Sequence, residues 1–217
     1  MKKFILTILL ILCFAIAGCN MDTDGTWKGG HIGYYFEGDW TDKEVTNLRA
    51  AMDEWEACGS SIHFVKTKLK KHGIKRRGYK LKIKHSNDGS NSATVGAVTC
   101  AVLNLSKDAP MSILRHELGH VIGLIHEHQR PDRDVYIIIH WENIIPEKTS
   151  NFTLKPLSRV FYNIWWIHYD FASIMQYHPW GFSKNGKPTI TKLNGSTSWP
   201  YQEEIQESDC LKVIDIY

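Results

Sequence analysis

The longest apolar stretch in this 217-residue chain, Phe4 to Ala17, is too short to span a bilayer as a stable anchor. No Cys-x-x-Cys pair is present, so a structural zinc ribbon is not expected. Neither sign of charge dominates. The 26 Lys and Arg nearly match the 23 Asp and Glu, and a net charge of +3 gives no global signal for disorder or nucleic acid. There is no internal repeat and no low-complexity tract. What remains is a chain with 43% hydrophobic and 12% aromatic residues, enough for one well-cored domain with room for two lobes. Histidine is plentiful, at 11 residues.

Three of those histidines lie in His116-Glu117-Leu118-Gly119-His120-Val121-Ile122-Gly123-Leu124-Ile125-His126. His116 and His120 are four apart, so on a helix their rings leave one face a turn apart, the spacing two ligands of one metal need. A continuous helix would carry His126 off that face. Gly123 can take the left-handed conformation that ends the helix and turns the chain back. Three neutral imidazoles leave a fourth position open on zinc, as in a catalytic site. Glu117, beside the first ligand, is placed to reach a water there. A bare H-E-x-x-H arises by chance in many helices; the glycine and third histidine at fixed offsets make coincidence a poor explanation. The expected cofactor is Zn2+, one per chain.

The first 19 residues read as a targeting segment. Lys2 and Lys3 form a positive start, the apolar run follows, and Ile16-Ala17-Gly18-Cys19 looks like a bacterial lipobox. Cys19 would then be lipidated and become the mature N-terminus, with Asn20 next to it matching outer-membrane sorting. Plain secretion with an incidental cysteine is the alternative. Beyond the leader cysteines Cys13 and Cys19 stand Cys58, Cys100 and Cys210, an odd number that permits one bridge without choosing it.

Residues 20–30 read as an extended lead-in. Ile32 to Phe36 reads as a strand, and Thr41-Asp42-Lys43-Glu44 as a capping box opening a helix with Val45, Leu48, Met52 and Trp55 at helical spacing. Ile62 to Val65, Lys80 to Lys84, Ala101 to Leu105 and Val135 to Ile139 are further strand candidates, and 87–92 is a loop. A second helix starts near Pro110 and runs to about Ile122. The stretch 141–200 is irregular. Ser208 is expected to cap a last helix that buries Leu211, Ile214 and Tyr217. Strands before the metal helix and irregular chain after it predict an α+β domain of two lobes with the cleft between them.

Past His126 comes Glu127-His128-Gln129-Arg130-Pro131-Asp132-Arg133-Asp134, and later Ser173-Ile174-Met175-Gln176-Tyr177. With the elongated zinc motif, these resemble the astacin family of metzincin metalloendopeptidases over roughly residues 27 to 217. The resemblance implies a metzincin-like catalytic domain over residues 20–217, with a mixed twisted sheet and two long helices in the first lobe and a final helix in the second. It implies His116, His120 and His126 as zinc ligands and Glu117 as general base acting on a zinc-activated water. Met175 would lie in the Met-turn, and Tyr177 would bind the oxyanion. Glu127 would be the glutamate that meets the buried N-terminus of the mature enzyme; an acylated Cys19 offers no free amine, so that contact would take another form. Phe36-Glu37-Gly38-Asp39 matches the family's Phe-x-Gly-Asp latency motif, but falls where the first strand should end and is read as coincidence. Of the other histidines, His128, His140, His168 and His178 are expected at the surface or behind the ligands.

From Lys66 to Lys84 there are ten Lys or Arg, alternating with Leu81 and Ile83 at the end, as on the solvent face of a strand. A solvated hairpin explains them, and contact with anionic lipid is the functional alternative. No nucleic-acid partner is expected, since no reader motif accompanies the patch. The function expected is endopeptidase cleavage of proteins or peptides outside the cytoplasm by a monomer held at the membrane through Cys19. The rivals are a non-catalytic zinc-binding surface lipoprotein that binds peptide or glycan, and a metallohydrolase of another substrate such as a peptidoglycan cross-link. Residues 178–200, with Trp180, Phe182, Lys184 and Lys187, are expected to line the cleft.

Overall fold

The computed structural model describes residues 25–67, 79–155 and 166–217. The leader 1–19 with Cys13 and Cys19, and Lys68, Lys70, Lys71, Lys75, Arg76 and Arg77 of the basic stretch, lie outside them.

Strand β1 (His31–Glu37) is followed by helix α1 (Asp42–Glu56), β2 (His63–Lys66), β3 (Leu81–His85), β4 (Ser92–Ala93), β5 (Val102–Leu105) and helix α2 (Met111–Ile122). These form the first lobe. Thr41 opens α1 as a capping box: Glu44 N donates to Thr41 Oγ1 at 3.3 Å, and Thr41 N donates to Glu44 Oε2 at 2.9 Å. The helix buries Leu48, Ala51, Met52 and Trp55. The sheet runs β2-β1-β3-β5-β4, parallel except for β4 at the edge. Its strands alternate. Ile32, Tyr34, Leu81, Ile83, Leu103 and Leu105 face the helices, while Lys82 and Lys84 point away and Lys82 Nζ pairs with Glu37 at 2.8 Å. Each buried aliphatic side chain contributes about 1.5–3 kcal/mol. Phe36-Glu37-Gly38-Asp39 sits where β1 ends, with Gly38 at φ +84°.

The second lobe has its own small core of Ile137, Ile139, Ile144, Phe152, Tyr169 and Ile190. Strand β6 (Ile137–Ile139) pairs antiparallel with β7 (Ile190–Lys192), and the chain ends in α3 (Glu207–Ile216). Three expectations need correction. Residues 141–200 contain β7, which is too short to carry a period. Val135 lies in a 3-10 turn, 65% exposed, ahead of β6. The last helix is capped by Gln206 rather than Ser208, and it buries Asp209, Lys212 and Val213 while Leu211 and Ile214 are 44% and 46% exposed. Its inner face is charged because it answers a buried polar cluster, which hydrophobic periodicity cannot anticipate. Among the described residues no helix is long and apolar enough to cross a membrane.

A disulfide joins Cys58, just past α1, to Cys210 in α3, 152 residues apart, and Cys100 is disulfide-bonded as well. Among the three cysteines beyond the leader, Cys58 and Cys210 thus form the one bridge that the odd number permits. Closing so long a loop raises the free energy of the unfolded chain, typically by about 2–4 kcal/mol. The double variant Cys58→Ala/Cys210→Ala is therefore expected to melt roughly 5–15 °C lower. Coincident melting curves would show that packing alone holds α3.

Candidate active site

Helix α2 presents His116 and His120 from consecutive turns, their rings 4.9 Å apart and nearly perpendicular. Gly123 ends the helix at φ +128°, its N–H donating to the Gly119 and His120 carbonyls. That reversal returns His126 to the same point. Its Nε2 lies 3.2 Å from His116 Nε2 and 3.1 Å from His120 Nε2. On the far side of each ring an oxygen waits: Ile174 O at 2.7 Å from His116 Nδ1, Leu124 O at 2.8 Å from His120 Nδ1, and Gln129 Oε1 at 3.3 Å from His126 Nδ1. Gln129 is oriented in turn by its Nε2, which donates to Asn151 O at 2.9 Å. Carbonyl oxygens only accept, so the protons sit on Nδ1 and three Nε2 lone pairs converge. Such lone pairs repel unless a cation lies among them. Tetrahedral zinc at Zn–N about 2.0–2.1 Å places its nitrogens roughly 3.3 Å apart, close to the spacing found, so the three imidazoles fit this ion. Burial keeps them neutral, the ligating form. It lowers His116, takes His120 to about 3 with help from His116, and holds His126 well below its ordinary value with help from His120.

Glu117 stands at the mouth of this cluster, 6% exposed, and its Oε2 has no hydrogen-bond partner. Burial raises its carboxyl to about 7, where it can take or give a proton near neutrality. The Tyr177 ring packs edge-on against His126 at 4.2 Å and lies tilted against His128 at 4.1 Å. Burial, then the nearby Glu117, pushes its hydroxyl up to about 12, so it stays a proton donor across the working range. Met175 is fully buried under α2. A Cβ added at Gly119 would sit 2.6 Å from Met175 Sδ and 3.2 Å from Trp55 Cζ2. Glycine at 119 is thus a packing requirement that the motif spacing alone does not reveal. Gly119→Ala is expected to cost about 1–3 kcal/mol, read as a lower melting temperature; an unchanged melt would mean that Met175 yields freely.

Sequence reasoning missed what lies behind the ligands. Glu127 is fully buried. Its Oε2 accepts from Lys212 Nζ at 2.6 Å, and its Oε1 from Arg130 Nη1 and Asp170 N at 3.0 Å each. Lys212 thus places an ammonium against Glu127. Asp209 accepts from Ser173 Oγ at 2.5 Å and Ile174 N at 3.0 Å, holding the Met-turn. The available signal was a Lys and an Asp three apart in the last helix. His128 is fully buried, with Nε2 2.9 Å from Asn151 O; burial takes it to about 3.

The cleft over the histidines, about 740 Å³, is lined by Ser90 to Ala93 and Val95 of the first lobe and by Lys148, Asn151, Lys155, His178, Gly181 and Phe182 of the second. Of the expected range 178–200, His178, Gly181 and Phe182 line it, while Trp180, Lys184 and Lys187 do not.

Comparison with known proteins agrees with this geometry. The family model for astacin, a peptidase family, matches residues 20–217. The chain is 31% identical over 195 residues to zinc metalloproteinase nas-14 of Caenorhabditis elegans, covering 89% of this chain and 37% of that protein. It is 30% identical over 187 residues to the low choriolytic enzyme of Oryzias latipes, covering 86% and 65%. It thus spans less than two thirds of the length of these relatives. Among solved structures it is similar to high choriolytic enzyme 1, a hatching enzyme zinc-protease from the same fish. The TM-score is 0.71 and the identity 25%, over 91% of this chain and 92% of that one. Myroilysin shares the fold, with TM-score 0.62 and 16% identity over 92% and 98%. A family model spanning nearly the whole chain and a triad of neutral imidazoles at zinc spacing lead to one conclusion: the chain belongs to the astacin family of peptidases.

Proposed function

We propose that this chain is a zinc-dependent endopeptidase that cleaves peptide bonds in proteins or peptides. The observation that carries the reading is the convergence of three Nε2 lone pairs beside an unpartnered, buried Glu117 carboxylate in an open cleft. One Zn2+ would be held by His116, His120 and His126, and when bound it supplies Lewis acidity toward a scissile carbonyl and a water molecule. Glu117 takes the proton of the attacking water and later delivers it to the leaving amine. Tyr177 donates its hydroxyl hydrogen to the carbonyl oxygen as negative charge grows there. Met175 packs beneath the helix without ligating. A purely binding role has no use for an unpartnered buried carboxyl that shares the cleft with the histidines and a phenol, which disfavours the non-catalytic alternative.

Residues 1–19 act as an export leader, residues 20–217 as the catalytic domain, and the chain works outside the cytoplasm as a monomer. The lipobox-like Ile16-Ala17-Gly18-Cys19 supports anchoring of a lipidated Cys19 in a bacterial outer membrane. Cys100 is disulfide-bonded, and a sulfur that carries lipid cannot share that bond. Mass spectrometry of the peptide containing Cys19 decides: a lipid thioether supports the anchor, and a disulfide to Cys100 removes it.

The test of the peptidase is a proteome-derived peptide library incubated with the purified chain, with and without a zinc chelator. Chelator-sensitive cleavage supports the reading and yields the subsite preference. One zinc per chain without any cleavage favours the binding role instead.

A further inference from the structure

A closed circuit of buried bonds runs behind the histidine triad. His116 Nδ1 lies 2.7 Å from Ile174 O, and Ile174 N donates to Asp209 Oδ2 at 3.0 Å. Asp209 Oδ1 accepts from Lys212 Nζ at 3.4 Å, which also reaches Glu127 Oε2 at 2.6 Å. Glu127 is joined covalently to His126, and its own N–H donates to Met175 O at 3.0 Å. Lys212, Glu127 and Asp209 are 1%, 0% and 0% exposed. We propose that Lys212 is a positioning residue of the metal centre, an ammonium carried on α3 that fixes the first and third histidines relative to each other.

The physical argument is one of charge. Two carboxylates buried side by side repel, and each needs donors to replace the water it has lost. Arg130 meets only part of that need, since its Nε and Nη2 are engaged by Asp132 at 2.8 Å each. Lys212 bridges Glu127 and Asp209. Each of those carboxylates grips one arm of the site: Asp209 holds the backbone that orients His116, and Glu127 continues from His126. Without the ammonium the two arms lose their common anchor, and the Nε2 atoms spread. Groups that orient ligands from behind typically alter metal affinity or activity by about 10–100-fold.

The inference rests on the zinc-peptidase reading, but its test does not depend on cleavage alone. Zinc release to a chelator and steady-state kinetics are measured for the full chain, for Lys212→Met, and for Lys212→Met/Glu127→Gln. The double variant replaces the buried pair by neutral groups of similar shape and guards against a single variant that fails to fold. Ile32→Ala, in β1 and outside the bonded circuit, serves as a destabilised control. Both Lys212 variants are expected to release zinc about 10-fold faster or more and to lose about 10–100-fold in kcat with KM within twofold, even where the double variant regains its melting temperature. The control should melt lower with wild-type zinc release and kcat. Wild-type zinc release and kcat in a stably folded double variant would overturn the proposal and leave Lys212 a stabilising residue only. If wild type cleaves nothing, the peptidase reading fails while zinc release still judges Lys212.

Discussion

Glu117→Gln is expected to lower kcat by about 10²–10⁴ while the protein keeps one zinc per chain. The amide matches the carboxylate in shape, so the helix and the three imidazoles stay in place. It cannot accept the proton that an attacking water must lose. Near-wild-type turnover in the zinc-loaded variant would remove Glu117 as the base. The same substitution has a second consequence in metal-free protein. Burial raises the folded-state carboxyl to about 7, from an ordinary 4.5. The native state therefore binds more protons than the unfolded chain between those values. Stability at this site falls as pH rises from about 4.5 to about 7, and the full penalty persists above. Metal-free Glu117→Gln should melt above metal-free wild type at pH 8, by an amount corresponding to a few kcal/mol at most, and match it below pH 4. Identical melting at pH 8 would show that the carboxylate is solvated there.

Tyr177→Phe is expected to lower kcat by about 10²–10³ with KM little changed. The ring that packs on His126 and His128 is retained in phenylalanine, so the ligands keep their support and only the hydroxyl is lost. A hydroxyl held near 12 remains protonated well past neutral pH, and the loss should therefore be nearly constant between pH 6 and 9. An unchanged kcat would reduce Tyr177 to a packing residue of the second lobe.

The parts of this site that were legible in the sequence are local. His116 and His120 are fixed by helical spacing, Glu117 by its place beside them, and the return of His126 by a glycine whose φ of +128° no other residue readily adopts. Thr41 and Glu44 likewise announced α1 within four residues. What stayed hidden depends on partners far along the chain. Lys212 meets Glu127 across 85 residues, and Cys58 meets Cys210 across 152. Strands β4 and β7, of two and three residues, exist because a neighbour pairs with them, so no pattern of their own marks them. In α3 the apolar period pointed to the wrong face because the fold buries charge there and satisfies it with charge. The resemblance carried by residues 126–134 and 173–177 brought out the Met-turn and Tyr177, which no spacing rule in the chain connects to the triad.

Metal reconstitution decides whether the three imidazoles form a catalytic zinc site. Zinc is titrated into metal-free protein while cleavage of a peptide substrate is followed. Activity is expected to rise in proportion to added zinc and to break at one equivalent, with no rise in His120→Ala. Cleavage by the metal-free chain, or equal reconstitution of His120→Ala, would contradict it.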